Sequence, residues 1–338
     1  MIFTQHTNLI TLIRDDFRYK FLPAGDIFEF THAPFLINQF QGNPLDGSAN
    51  NIYLRVHTAE GITSYPLLGI RSRSRVSYNN ERLVFQGSID KIDYKVTFAP
   101  AADGIWFWNV LLLGSGETVD LIYGQDIGVA DKGGVLSNEL YMSQYLGHSI
   151  LEGPHGYVVC SRQNQPQGTA FPYLQQGVLG TRAVGYSSLN YQYELSYTGL
   201  QTEQMQLTEP AEFAFYGLFR PDHPAAVTSL EFGTELQAAY DRIDWHHQEP
   251  LQDGETVTLC KEYGQPYVSG QWSLEEVTAF YPDRRLEEFQ DGQLLSFFTP
   301  EHVHVVLQPK ELLVERPHGH IITTLLDDKQ VNNNLITS

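Results

Sequence analysis

Histidines carry the most obvious chemical potential in this chain. Two His-x-His pairs stand late in the sequence, His302-Val303-His304 and His318-Gly319-His320, and His246 is followed directly by His247. Residues i and i+2 of a strand share a face, so either pair could offer two imidazoles to one metal ion. A cupin-type site also needs a carboxylate four or five residues further on. Those positions hold Gln308 and Pro309 after the first pair, and Thr324 and Leu325 after the second. The pattern fails both times, so neither a metal site nor a cofactor is expected.

His155, Asp126, Asp131, Glu139 and Glu152 are of the right types for general acid–base chemistry. Spacing pairs none of them, and each is accounted for singly as a hydrogen-bonding loop residue. Ser161 follows Cys160, but no Gly-x-Ser-x-Gly elbow surrounds it. No catalytic residue is therefore assigned. Cys160 and Cys260 are too few for a disulfide framework and read as reduced thiols.

The densest polar and aromatic segment runs from Tyr123 to Tyr173. Amides, hydroxyls and tyrosine rings together suit carbohydrate, whose hydroxyls need many donors and acceptors and whose ring faces stack on aromatics. Tyr141, Gln144, Tyr145, Arg162, Gln163 and Asn164 are the candidate sugar contacts. The competing explanation is a hydrogen-bonded loop network that orders the rim of a β-sandwich.

The elements that must position these residues are strands. Runs at 82–87, 94–98, 105–113, 157–160, 191–197 and 212–219 have β character, and Asp103-Gly104 marks a hairpin turn. Ile105–Leu113 is apolar on both faces, as in a strand covered on both sides. Later, Leu236, Tyr240 and Ile243 predict a helix within 229–243. Ser273-Leu274-Glu275-Glu276 predicts the capped start of another. Strands are expected at 294–298, 303–307 and 311–316. No βαβ rhythm and no phosphate-binding glycine loop is present.

The 338 residues include 21 Lys and Arg against 40 Asp and Glu, a net charge of −19. That balance argues against nucleic acid and anionic membrane as partners. It also fits poorly with a phosphate site. The longest apolar run is short of the ~18–20 residues a membrane span needs. The N-terminus lacks the basic and apolar regions of a signal peptide, so a cytoplasmic location is expected.

Three segments carry a resemblance. Residues 123–128 (YGQDIG), 160–168 (CSRQNQPQG) with 171–177 (FPYLQQG), and 310–321 (KELLVERPHGHI) resemble the N-terminal part of glycoside hydrolase family 94, among its phosphorylases of β-1,2-glucans. The resemblance covers most of the chain from about residue 105. It implies a mainly β fold: a galactose-mutarotase-like β-supersandwich over 1–225, then a helical linker with short strands over 226–338. It further implies an (α/α)6 barrel that carries the catalytic acid and phosphate site and lies outside this chain. The Asn-rich end at 331–338 then reads as a cut.

The function so implied is that of a non-catalytic, carbohydrate-binding-type domain. Its parent would convert sophorooligosaccharides and phosphate to glucose 1-phosphate. Its partners would be the barrel, with β-glucan oligosaccharide and a homodimer left open. A stand-alone carbohydrate-binding module is one alternative. An aldose 1-epimerase-like enzyme is another, but the His and Glu pair it would need is not placed by the sequence.

Overall fold

The computed structural model describes residues 9–43, 47–185, 196–246, 251–254, 274–290, 292–300, 304–307, 312–316 and 319–323. The chain divides into two compact units, 1–258 and 259–338. Strands dominate, as expected of a mainly β protein.

In the first unit, a five-stranded antiparallel sheet is built from Ile10–Arg14, Phe17–Phe21, Ile27–His32, Phe35–Leu36 and Ala130–Asp131. A fifteen-stranded sheet carries the remaining strands, with Ile105–Leu113 between Ile92–Pro100 and Ala211–Arg220. The predicted turn is present. Asp103 and Gly104 take φ of 58° and 66°, the pair of positive values a two-residue type I′ connection needs.

Ile105–Leu113 is covered on both faces, as its composition predicts. Trp106, Trp108, Val110 and Leu112 enter the main core. There Trp106 meets Tyr19 and Phe30 of the small sheet, at ring separations of 5.8 Å each, and Trp108 meets Phe98 at 4.6 Å. Ile105 and Phe107 point the other way, into a second core with Leu236, Ala239 and Trp245. Leu236 and Ala239 lie on a helix spanning Gly233–Asp241, inside the predicted window. Asn109 interrupts the apolar run but is satisfied: Nδ2 donates to Glu212 at 2.9 Å, and Tyr240 Oη donates to Oδ1 at 2.9 Å.

Two short helices were not anticipated, α1 (Lys132–Ser137) and α2 (Glu139–Ser143). Asp131 caps the first and Asn138 the second, each side chain accepting a first-turn N–H. The Gly233–Asp241 helix is α3. The predicted strand at 191–197 lies outside the described residues through 195, and a strand runs from Tyr197 to Thr202.

The second unit holds α4 (Leu274–Phe280) and a three-stranded sheet of Arg285–Gln290, Gln293–Phe298 and His304–Val306. Val277, Leu294, Phe297 and Val305 form its core. Leu312–Arg316 pairs with Gly319–Thr323. Ser273, the expected cap of α4, and His302 and His318 lie outside the described residues.

The two-faced packing leaves no slack opposite Trp106. Its register partner is Gly217, and a Cβ there would sit 2.1 Å from the indole. Gly217→Ala should cost about 1–3 kcal/mol of stability, read as a lowered urea midpoint. Gly233→Ala, with open space around the added carbon, should change it by less than about 1 kcal/mol.

Candidate functional site

The polar-aromatic segment divides: Tyr123, Gln125, Ser161, Gln163 and Tyr173 are buried, and the parts around α1, α2 and 164–170 border a groove. Pairing of Ala130–Asp131 with Phe35–Leu36 brings α1 against residues more than ninety positions earlier in the chain. Glu29 secures this arrangement. Its carboxylate takes Lys132 Nζ at 2.7 Å, Lys20 Nζ at 2.5 Å and Gln41 Nε2 at 2.6 Å. Burial alone would raise this carboxyl, but the two lysines and the amide outweigh it and hold it below its ordinary value.

Behind α2, Leu146–Gly153 pairs with Gly156–Gln163, and the chain then turns through 164–170. A groove of about 460 Å³ lies among these parts, lined by Pro34, Phe35, Met142, Gln165, Pro166 and Gln167 with their neighbours. Amides order its wall. Gln163 Nε2 donates to Met142 O at 3.2 Å, and Gln165 N donates to Gln163 Oε1 at 3.1 Å. Gln167 Nε2 donates to Gln165 O, and its Oε1 accepts from Asp131 N at 3.0 Å. Gln165 Oε1 is buried with no donor facing it.

The six candidate contacts divide into two sets. Tyr141 is 44% exposed, and Tyr145 Oη donates to Tyr141 Oη at 2.7 Å with the rings 5.1 Å apart and edge to face. Gln144, between them in sequence, is exposed. This bond to Tyr141 pushes the Tyr145 phenol above its ordinary value. The other three tie the scaffold together. Gln163 is fully buried. Arg162 donates to His223 O at 2.7 Å, Pro224 O at 3.0 Å and Asn164 Oδ1 at 2.7 Å, and lies over the Phe171 ring. Asn164 N is bound to Tyr145 O.

Sequence reasoning missed Pro34, Phe35 and Gln165. The first two reach the groove only through a long-range strand pairing, which no local pattern reports. Gln165 lies inside the segment singled out, and its neighbours' amide spacing was the available signal.

The acid–base candidates do not meet. Asp131 caps α1, Glu152 pairs with Arg182 at 2.7 Å, and the His155 carbonyl accepts from Ala183 N. The side chain of Glu139 lies outside the described residues. Ser161 bonds His148 Nδ1 at 2.8 Å, and His148 Nε2 bonds Ser196 Oγ at 3.0 Å. Ser161 is fully buried, so substrate does not reach it. Burial also pushes the Cys160 thiol up to about 11, which leaves almost no thiolate at neutral pH. Among the described residues no group of three His, Cys, Asp or Glu could hold a metal, and no helix is long and apolar enough to cross a membrane.

Asp126 is different in kind. It is buried, with Oδ2 accepting from Phe40 N at 2.7 Å and Oδ1 facing no donor. Burial raises its carboxyl to about 6, against the lowering effect of the hydrogen bonds from Phe40 and Asn50.

Two family profiles match the chain: "SOGP N-terminal domain" over residues 20–188, and "Glycoside phosphorylase supersandwich domain" over 281–338. A 1,2-beta-oligoglucan phosphorylase of Listeria innocua serovar 6a is 34% identical over 352 aligned positions, covering 95% of this chain and 31% of the relative. The chain thus spans about a third of that protein's length. Among solved structures, a polysaccharide lyase overlaps 69% of this chain and 34% of its own at 14% identity and a TM-score of 0.38. A 4-alpha-glucanotransferase from Thermococcus litoralis overlaps 64% and 38% at 9% and 0.34.

The buried carboxyl makes stability pH-dependent in a defined direction. Its folded value of about 6 exceeds the ordinary 3.8. The contribution is therefore fully present below about 3.8 and lost as pH rises through about 6. This group should lower stability by up to about 3 kcal/mol between pH 4 and 7. Asp126→Asn should flatten that part of the profile, measured as urea midpoints across the range. An unchanged slope would exclude Asp126 as its source.

Proposed function

We propose, from the premise that this chain belongs to the SOGP N-terminal domain family, that it is the non-catalytic N-terminal region of a glycoside phosphorylase acting on β-1,2-glucan. The carrying observation is the 34% identity, sustained over 95% of the chain, to a 1,2-beta-oligoglucan phosphorylase. The supersandwich profile over 281–338 supports the same reading, and the 31% of the relative that is covered supports further domains in the parent.

In this reading the parent transfers a glucosyl unit between sophorooligosaccharide and inorganic phosphate. A carboxylic acid in an (α/α)6 barrel protonates the glycosidic oxygen while phosphate attacks. The region described here packs against that barrel, as 1–225 and a linker over 226–338, and works in the cytoplasm. The use of Asp131 as a helix cap, the pairing of Glu152 with Arg182 and the burial of Ser161 support a role without chemistry of its own. The chain purified by itself should form no glucose 1-phosphate from sophorooligosaccharide and phosphate. Turnover by the isolated chain would overturn the non-catalytic assignment.

A second reading, a carbohydrate-binding surface, rests on the exposed Tyr141 ring and the half-buried Tyr145 ring beside the exposed Gln144. Paired rings give the apolar faces of a sugar a stacking surface, and the neighbouring amide serves its hydroxyls. Calorimetric titration with sophorooligosaccharides should show binding that Tyr141→Ala with Tyr145→Ala weakens at least tenfold. No measurable heat with the unaltered chain would leave the packing role alone.

A further inference from the structure

A second and larger cleft, of about 600 Å³, opens between α3, the turn at Asn80–Arg82 and the chain at Ala99–Asp103. This volume falls in the ~300–1,000 Å³ range of small-molecule sites. Alanines 99, 101, 102, 238 and 239 form much of its wall, and no aromatic ring lines it. It therefore lacks the stacking surface a sugar ring would need.

What it offers is three guanidiniums set among four carboxylates, Glu81, Asp103, Glu235 and Asp244. Arg14, Arg82 and Arg242 all line it. Acids outnumber bases 40 to 21 in this chain, so an arginine should find a carboxylate easily. Arg55, Arg75, Arg182, Arg220 and Arg284 do so. The three arginines of the cleft do not, among the described residues.

Arg82 is the most informative. It is only 8% exposed, and Nη1 is tied to the Asp244 carbonyl at 2.9 Å. Nε is buried without an acceptor, and no described protein group takes a hydrogen bond from Nη2. Nε lies behind the surface, so an anion in the cleft would meet Arg82 through the outer nitrogen Nη2 alone. A guanidinium is charged at any relevant pH, and leaving its buried donors unmet is costly.

Of the acids along the lining, Glu235 is held by Arg220 at 2.9 Å and Asp244 Oδ1 accepts from His246 N at 3.1 Å. Glu81 and Asp103 also line the cleft and oppose an extended anion, which favours a compact one. We propose that this cleft binds a small ligand through a phosphate or carboxylate group seated on Arg82, with Arg14 and Arg242 closing over it. The site is independent of the family reading and of the Tyr141 surface.

Titration of the whole chain with inorganic phosphate, glucose 1-phosphate and glucuronate, at constant ionic strength, tests the proposal. Saturable binding with a rise in melting temperature is expected for at least one probe. Binding of the two phosphates alone identifies a phosphate site, of glucuronate alone a carboxylate site, and of all three a general oxyanion site. Arg14→Ala and Arg242→Ala remove exposed, unpaired side chains. Each should leave the ligand-free melting temperature unchanged and weaken binding about tenfold. Arg82→Gln should abolish binding, but it also loosens Asp244, so the two exposed variants decide. No saturable binding by any probe, or unchanged affinity in the Arg14→Ala, Arg242→Ala double variant, would overturn the site.

Discussion

The first unit depends on one constraint: a single strand must be dry on both faces. Ile105–Leu113 sends two indoles toward the small sheet and Ile105 and Phe107 toward α3. Fully burying a large apolar side chain stabilises by roughly 1.5–3 kcal/mol. Neither face could be left to water without forfeiting several such contributions. Hence the small sheet and α3, which are far apart in the chain, are held on opposite sides of one ribbon. The cleft beside α3 and the groove beside the small sheet are both by-products of covering that ribbon.

Some polar groups of this interior form satisfied sets, while the Tyr19 hydroxyl and the Trp106 and Trp108 indole N–H groups are buried without a partner. Tyr123 Oη and Gln176 Nε2 both donate to Gln125 Oε1, and Thr198 Oγ1 donates to Gln176 Oε1 at 3.0 Å. Such closed networks specify a unique arrangement because a misregistered strand would leave each member unmet. The amides along the groove wall also bond one another, with Gln165 Oε1 left unmet. Asp126 is the one carboxylate among the buried groups with an unmet atom in the described residues, and its carboxyl is raised to about 6.

Legibility followed range. The alternation in 94–98, the two-sided apolar run at 105–113, the Asp103-Gly104 turn and the spacing of Leu236, Tyr240 and Ile243 are local signals, and each is found as read. Helices α1 and α2 are five or six residues long, too short for periodicity to register, and exist because Asp131 and Asn138 cap them. Gln163 shows the limit of composition. Glutamine is mostly exposed in proteins, and only the tertiary contact with Met142 O makes this one an interior tie. Arg162, chosen for its charge, spends that charge on carbonyls, a partnership that sequence does not encode locally. Tyr141 and Gln144 keep the exposure a contact role requires, and Tyr145 beside them is half-buried.

That choice of partners bears on how the surface can evolve. Arg162 grips the carbonyls of residues 223 and 224, and Asn164 N grips the carbonyl of residue 145. A carbonyl is present whatever side chain its residue bears. Mutational drift at position 145, and at 141 and 144 on the exposed rim, can therefore proceed without releasing the clamps behind it. The scaffold is decoupled from the chemistry it displays, so relatives can diverge in what this rim contacts while inheriting the same rim.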